Sequence, residues 1–386
     1  MSKSNKILLI TNIPTPYRIP LFNELNKKLE GRGLKLKVVF GANSYTRRKW
    51  LVDMSKCKFD YELLPSRKIK YLDSERIMFT YSGLFRVISK ENPCVIITNA
   101  FSLATMKIWW SSLFEKTPYI IWSGAINNKY SPDSFLRKYQ RKIVINKASG
   151  FIAYGTKAKE YLISLGAEEG KVETGINTID TQFYSNEVRK FQENGISNDD
   201  KMHLLYIGDL SARKNVLKVL KIINNLVNLR SDIMLDIVGD GEERNELEKY
   251  VIDNNLNRFV AFYGFRQSYE IPKFLAQSKC FLFQTDFDIW GLVLVEAMAA
   301  GIPCIASVHA GASQDLINDG VTGFTLDYSE TERVAKKVNW ILDNPELAKQ
   351  IGQNANRFIL ENVSLQKSAE GFVRAIIRAL KKSGIA

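Results

Sequence analysis

Short unbroken runs of apolar residues recur along the chain, and between them the apolar positions fall three and four residues apart. In the first half the runs are Ile7–Ile10, Val38–Phe40, Val95–Thr98, Tyr119–Trp122 and Phe151–Tyr154. In the second they are Leu204–Ile207, Leu235–Val238, Val260–Phe262, Cys280–Phe283, Cys304–Ala306 and Gly323–Leu326. Runs of this length suit strands buried on both faces, and the spacing between them suits helices. Their alternation predicts parallel sheets assembled from βαβ units. The two series are of similar size and flank the polar stretch 186–201, which predicts two α/β domains, at 1–185 and 200–364. Leu365, Ala369, Phe372, Ile376 and Leu380 share one face of a last predicted helix, within 365–386, with Arg374, Arg378, Lys381 and Lys382 off that stripe. Such a stripe docks a helix onto the body of a protein.

A chain of 386 residues, 45% hydrophobic and 25% charged, has the size and composition of two ordinary globular domains. The opening run is too short for a signal peptide. The most apolar longer region, 94–114, is interrupted by Asn99 and Lys107, so no membrane span is expected. Cys57, Cys94, Cys280 and Cys304 lack ligand-like spacing and read as reduced residues of a cytoplasmic protein. The charge changes this plain picture. Residues 1–180 hold 30 Lys and Arg against 15 Asp and Glu, whereas the remainder holds 24 against 26, for a net +13. One half is therefore built to face something anionic. No helix-turn-helix, zinc-finger or RNP-like segment is present, so nucleic acid is not expected. Anionic lipid head groups, or a lipid-diphosphate acceptor, fit the basic half better.

The densest chemistry runs from Asp286 to Pro303. Leu292 to Ala300 reads as a helix apolar on every face except at Glu296, ended by Gly301 and Pro303. A helix of that composition is expected to be buried, and a carboxylate there needs a partner. Gly291 leaves the helix N-terminus open to an anion. A diol for the carboxylate and a phosphate for the helix end together describe a nucleotide sugar. A second segment, Gly208 to Asn215, follows the run Leu204–Ile207 and places Arg213 and Lys214 at the end of a strand, where α/β sheets bind ligands. Two adjacent cations there suit a diphosphate leaving group. Gly239-Asp240-Gly241 closes the next strand but lacks the third glycine of a dinucleotide fingerprint.

Asp288-x7-Glu296 followed by Ala297-Met298-Ala299-Ala300-Gly301-Ile302-Pro303 resembles the sugar-nucleotide motif of the retaining GT-B glycosyltransferases, specifically the family 4-like, group 1 enzymes. The resemblance implies two Rossmann-like domains facing across a cleft, with the last helix returning to the N-terminal one. It implies that Asp288 binds donor sugar hydroxyls, that the backbone of Gly291, Leu292 and Val293 meets the phosphates, and that Glu296 takes the ribose diol. Asp288 departs from the family's usual glutamate, which leaves the donor sugar open. Gly208 opens the segment where the family carries its diphosphate-binding cations; Lys214 matches the family lysine, and Arg213 stands in for an arginine that is here Asp209. Gly264 and Phe265 match a Phe-x-Gly-Phe segment whose backbone reads the base. Asp286-Phe287-Asp288 is also an Asp-x-Asp, the metal signature of the other major glycosyltransferase fold, but the family's site is metal-free and no metal or other cofactor is expected.

In the first half, Pro16-Tyr17-Arg18 through Phe22 is similar to the opening of many bacterial polysaccharide glycosyltransferases, which makes Arg18 a candidate for an acceptor phosphate. Arg47, Arg48, Lys49, Arg67, Lys68 and Lys70 are further candidates for an acceptor or membrane surface. The region Ile121–Asn127 lacks the histidine that many family members place there, and His203 and His309 do not match it. The implied function is transfer of a hexose or N-acetylhexosamine from a UDP- or GDP-linked donor to a glycan or lipid-linked acceptor of surface polysaccharide or glycolipid, at the cytoplasmic face of a membrane. A GT-B nucleotide-sugar epimerase and a non-enzymatic polyanion-binding protein are the alternatives.

Overall fold

The computed structural model describes residues 3–44, 49–70, 77–127, 132–195, 200–382 and 384. The chain divides into two compact units, one formed by 1–178 with 365–386 and the other by 179–364.

Unit 1 begins with β1 (Lys6–Thr11), α1 (Arg18–Glu30), β2 (Lys35–Phe40), β3 (Asp60–Leu63), β4 (Lys68–Lys70), β5 (Ile77–Phe79) and α2 (Leu84–Glu91). It continues with β6 (Val95–Asn99), α3 (Leu103–Ser111), β7 (Tyr119–Ser123), α4 (Phe135–Lys147), β8 (Gly150–Ala153), α5 (Thr156–Ser164) and β9 (Val172–Thr174). Seven of these strands make one parallel sheet in the order β3-β2-β1-β6-β7-β8-β9, while β4 and β5 pair antiparallel. The run at β1 is apolar without alternation because both faces are covered. Leu8 and Ile10 join a core with Leu84, Ile108 and Val144, whereas Ile7 and Leu9 join Phe22, Leu25 and Phe372 on the other face.

Unit 2 comprises α6 (Thr181–Glu193), β10 (Met202–Ile207), α7 (Leu217–Leu226), β11 (Ile233–Val238), α8 (Arg244–Asp253), β12 (Val260–Gly264) and α9 (Ile271–Gln277). It is completed by β13 (Ser278–Phe283), α10 (Leu292–Ala299), β14 (Cys304–Ser307), α11 (Ser313–Leu316), β15 (Phe324–Leu326), α12 (Thr331–Asp343) and α13 (Pro345–Asn362). Its six strands are parallel in the order β12-β11-β10-β13-β14-β15. The sheet order reverses between β10 and β13, and in unit 1 between β1 and β6. Such reversals open a crevice at the carboxyl ends of the strands.

The final helix, α14 (Leu365–Lys382), lies in unit 1. Ala369, Phe372, Ile376 and Leu380 are buried there, with the Phe372 ring 5.1 Å from that of Trp122. Arg374 and Arg378 turn outward and each pairs with Glu173 at 2.8 Å.

Two expectations need correction. The boundaries at 185 and 200 fall instead at 178 and 179, and the first half of the polar stretch from 186 is helical. Asp180 caps α6 by accepting from the Phe183 amide at 3.1 Å, and the helix buries Tyr184 and Val188 within unit 2. Tyr184 and Val188, one turn apart, dock a helix most of whose other positions are polar, so its second half reads as a linker.

Candidate active site in the second unit

The loop leaving β10 and the loop leaving β13 meet at the switch point, and hydrogen bonds tie them together. The Asp286 amide donates to the Arg213 carbonyl at 3.0 Å, and Arg213 Nη1 donates to the Phe287 carbonyl at 2.8 Å. Across this seam Lys214 Nζ donates to Asp288 Oδ2 at 2.5 Å, with Arg213 Nη1 3.9 Å from the same oxygen. Lys214 is buried, and its ammonium sits 5.2 Å from the centre of the Phe283 ring. Burial opposes the ionisation of Asp288, but Lys214 and then Arg213 outweigh it and hold the carboxyl below its ordinary value. Asp288 Oδ1 accepts from the Trp290 amide at 3.3 Å, a short-range turn that suits the shorter aspartate side chain.

Asp286 has other partners. Lys218 Nζ at 2.7 Å and Gln284 Nε2 at 2.9 Å reach its Oδ1, and Asn215 Nδ2 reaches its Oδ2 at 2.8 Å. The two carboxylates of the Asp-x-Asp are thus turned to separate amino groups. Among the described residues no cluster of His, Cys, Asp and Glu has the geometry of a metal site.

Gly291 caps α10 with φ +111° and without any side-chain cap. A Cβ there would lie 2.3 Å from Phe283 Cζ, so both the left-handed backbone and the crowding require glycine. The helix differs from the expectation of burial on every side. Leu294, Val295, Ala297, Met298 and Ala299 are buried, but Leu292, Val293, Glu296 and Ala300 are only partly so. Those four fall on one helical face, which α/β packing leaves open. Glu296 stands on that face one turn from the N-terminus. Its partner is the buried Tyr184 hydroxyl of α6, a residue the sequence reading missed because it falls within the stretch assigned to the first domain. Burial pushes the Glu296 carboxyl up to about 7, against the pull of that hydroxyl.

The remaining predicted residues are distributed along the same edge. Gly208 follows β10, and its carbonyl leaves only 1.7 Å for a Cβ on Gly239 (φ +155°), so the glycine turn after β11 serves the close approach of two loops. Gly264 and Phe265 lie at the end of β12, two strands from β10, with the Gly264 carbonyl accepting from the Gly239 amide at 2.9 Å. The backbone of Gly311 and Ala312 donates to the carbonyls of Asp288 and Trp290, which braces the site loop from behind. His203 is at the start of β10, its Nδ1 2.6 Å from Asp236 Oδ2.

Arg18 belongs to unit 1, at the switch point between β1 and β6. It is not the exposed arginine of a proline-rich turn: only 8% of it is accessible. Its guanidinium lies 4.4 Å from the Trp122 ring and 5.2 Å from those of Tyr17 and Tyr154. It donates to Tyr154 Oη at 3.0 Å and Asn177 Oδ1 at 2.7 Å, while Nη1 finds no hydrogen-bond partner among the described residues. Lys49, Arg67 and Lys68 are exposed; Arg47 and Arg48 lie outside the described residues, as does the side chain of Lys70.

Two doubly wound parallel sheets, one with this arrangement at its switch point, define the GT-B class. HepE of Anabaena in complex with UDP shares the fold, with a TM-score of 0.74 and 19% identity, over 96% of this chain and 99% of that one. Residues 187–358, within unit 2, match the family model described as glycosyl transferases group 1. Among curated relatives, alpha-D-kanosaminyltransferase of Streptomyces kanamyceticus is 30% identical over 157 residues, 41% of this chain and 40% of that protein. N-acetyl-alpha-D-glucosaminyl L-malate synthase of Bacillus anthracis is 29% identical over 198 residues, 51% of each. The matches therefore span about half the length of these relatives or less.

Proposed function

We propose that this chain is a retaining glycosyltransferase that moves a hexose or N-acetylhexosamine from a UDP- or GDP-linked donor to a glycan or lipid-linked acceptor of surface polysaccharide or glycolipid. The observation that carries the reading is the convergence of Lys214, Arg213 and Asp288 beside the uncapped start of α10, with Glu296 on its open face. In the donor complex the diphosphate takes the place of Asp288 as the partner of Lys214, and Arg213 adds the second positive charge. Because Lys214 is already buried and oriented, little reorganisation opposes the charge that develops as the sugar–phosphate bond breaks. Asp288, released from the lysine, turns to sugar hydroxyls. The amides of Gly291, Leu292 and Val293 meet the phosphates, and Glu296 binds the ribose diol. Gly264 and Phe265 border the base.

In this scheme the cations neutralise the diphosphate and no metal or cofactor is needed. Arg18, buried with one nitrogen that has no hydrogen-bond partner among the described residues, is the unit 1 candidate for an anionic group of the acceptor. HepE with bound UDP supports a uridine donor as the first one to try.

The experiment is a thermal-shift panel of UDP, GDP, ADP and CMP with the matching sugars, followed by a transfer assay on wild type and Lys214→Met. One-site binding at about 100 times the dissociation constant stabilises the fold by roughly 2.7 kcal/mol. Lys214→Met is expected to cut turnover by about two orders of magnitude, the scale of losing one oriented charge at a developing anion. Stabilisation by no nucleotide, or unchanged turnover in Lys214→Met, would overturn the assignment.

A further inference from the structure

The first two turns of α4 stand clear of the body of unit 1. Phe135 is 86% exposed, Leu136 75% and Tyr139 57%. Scattered apolar side chains on a surface are ordinary, but three large ones at i, i+1 and i+4 make one outward patch. Lys138 and Lys142, also exposed, border it along the same side of the helix. The opposite face holds α4 in place. Val144 and Ile145 are buried, Arg137 and Arg141 pair with Asp133, and the Arg141 guanidinium lies 4.8 Å from the Phe101 ring. The outward patch is thus the side left over after the helix has been anchored.

The charge carried by α4 itself has one sign, although Asp133, just ahead of it, pairs with Arg137 and Arg141. The helix itself contains Arg137, Lys138, Arg141, Lys142 and Lys147 and no acidic residue. Unit 1 as a whole holds 35 Lys and Arg against 15 Asp and Glu, whereas unit 2 has an acidic excess. Phe, Tyr and Leu side by side with lysines match the chemistry of a bilayer interface. Apolar bodies enter the acyl boundary there, and long cationic side chains reach up to the head groups.

We propose that the amino-terminal half of α4 is a membrane-docking surface, seated in the head-group region of a bilayer that carries anionic lipid. Since α4 follows β7, its first turn lies at the carboxyl edge of the unit 1 sheet, the edge at which α/β sheets take ligands. Docking brings that edge to the lipid surface. For its bearing on the acceptor this inference rests on the proposed transferase reading, and it makes the acceptor lipid-linked rather than a free glycan.

The test is co-sedimentation of the whole protein with vesicles of phosphatidylcholine, alone or with one third phosphatidylglycerol. Wild type is expected to bind the anionic vesicles and largely ignore the neutral ones. Phe135→Ser with Leu136→Ser should weaken partitioning roughly tenfold or more, from the apolar area no longer transferred. Lys138→Ala with Lys142→Ala should cost about fivefold per lysine, an effect that high salt removes. The stabilisation by nucleotide should be unchanged in both variants, which shows that they fold. A wild type without nucleotide binding would sink the donor reading while leaving the vesicle result intact. Equal vesicle binding by wild type and the serine variant would overturn the docking surface. So would a wild type that ignores the vesicles, including one that forms dimers which the serine variant dissociates; the patch would then join two copies of the chain.

Discussion

Neutralising Glu296 should make the protein more stable and at the same time blind to its donor. The carboxyl is pushed up from an ordinary 4.5 to about 7 by burial, which the Tyr184 hydroxyl only partly offsets. A tenfold change in proton affinity is worth about 1.4 kcal/mol, so the ionised form is disfavoured in the folded protein by at most ~3 kcal/mol. The open face of α10 admits solvent, and screening brings the expected figure to ~1–3 kcal/mol. Between pH 4.5 and about 7 the folded state retains a proton that the unfolded state has released. The stability contributed by this group is therefore present below pH 4.5, declines as pH rises to about 7, and is flat above. Glu296→Gln keeps an acceptor for Tyr184 and removes the titration. By calorimetry the variant should melt close to wild type near pH 4.5, and at pH 8 ~2–12 °C higher, taking ~2–4 °C per kcal/mol for a unit of this size. Nucleotide stabilisation should vanish in it. A gap between the two proteins that is the same at both pH values would refute the reasoning, because no proton would then separate their folded states.

Two other substitutions probe what the site and unit 1 rest on. Gly291→Ala forces a Cβ to 2.3 Å from Phe283 Cζ at φ +111°, so it should destabilise unit 2 by ~2 kcal/mol or more and lose nucleotide binding; an unchanged melting temperature would show that the turn relaxes freely. Glu91 is buried between Lys6 Nζ at 2.5 Å and Lys37 Nζ at 2.8 Å, and hydrogen bonds from Lys37 and then Lys6 hold its carboxyl down at about 2. Glu91→Gln should cost ~3 kcal/mol at neutral pH. The wild-type advantage should shrink as pH falls from 4.5 toward 2, and urea melts showing a constant gap from pH 7 to 3.5 would contradict it.

How much could be read from the sequence depended on burial. Strands such as β1, β10 and β13 are covered on both faces and announce themselves as apolar runs. Edge strands do not: β3 is Asp-Tyr-Glu-Leu, three of whose four side chains are exposed, and β9 is only Val-Glu-Thr. Lys214, Asp288 and Gly291 were legible because a strand end, a turn and a helix start each leave a local signature. Tyr184 was not, since the need for it arises only when α6 is laid against α10. The burial of Arg18 was equally hidden. A proline-flanked arginine looks like surface until Trp122 and Tyr154, distant in sequence, close over it. The open face of α10 escaped notice for a related reason. Composition records that Leu292 and Val293 are apolar but not that the packing leaves them accessible.

The placement of α14 has a consequence for synthesis. During translation β1 to β9 emerge before unit 2, yet one face of their sheet is completed by Phe372, Ile376 and Ala379, which emerge after it. Unit 2 is continuous in sequence and can close as soon as residue 364 is free. The β1–β9 part is therefore made before unit 2 but finishes folding after it, and until then the apolar face that α14 covers is incomplete. That interval is when the nascent chain most needs a chaperone.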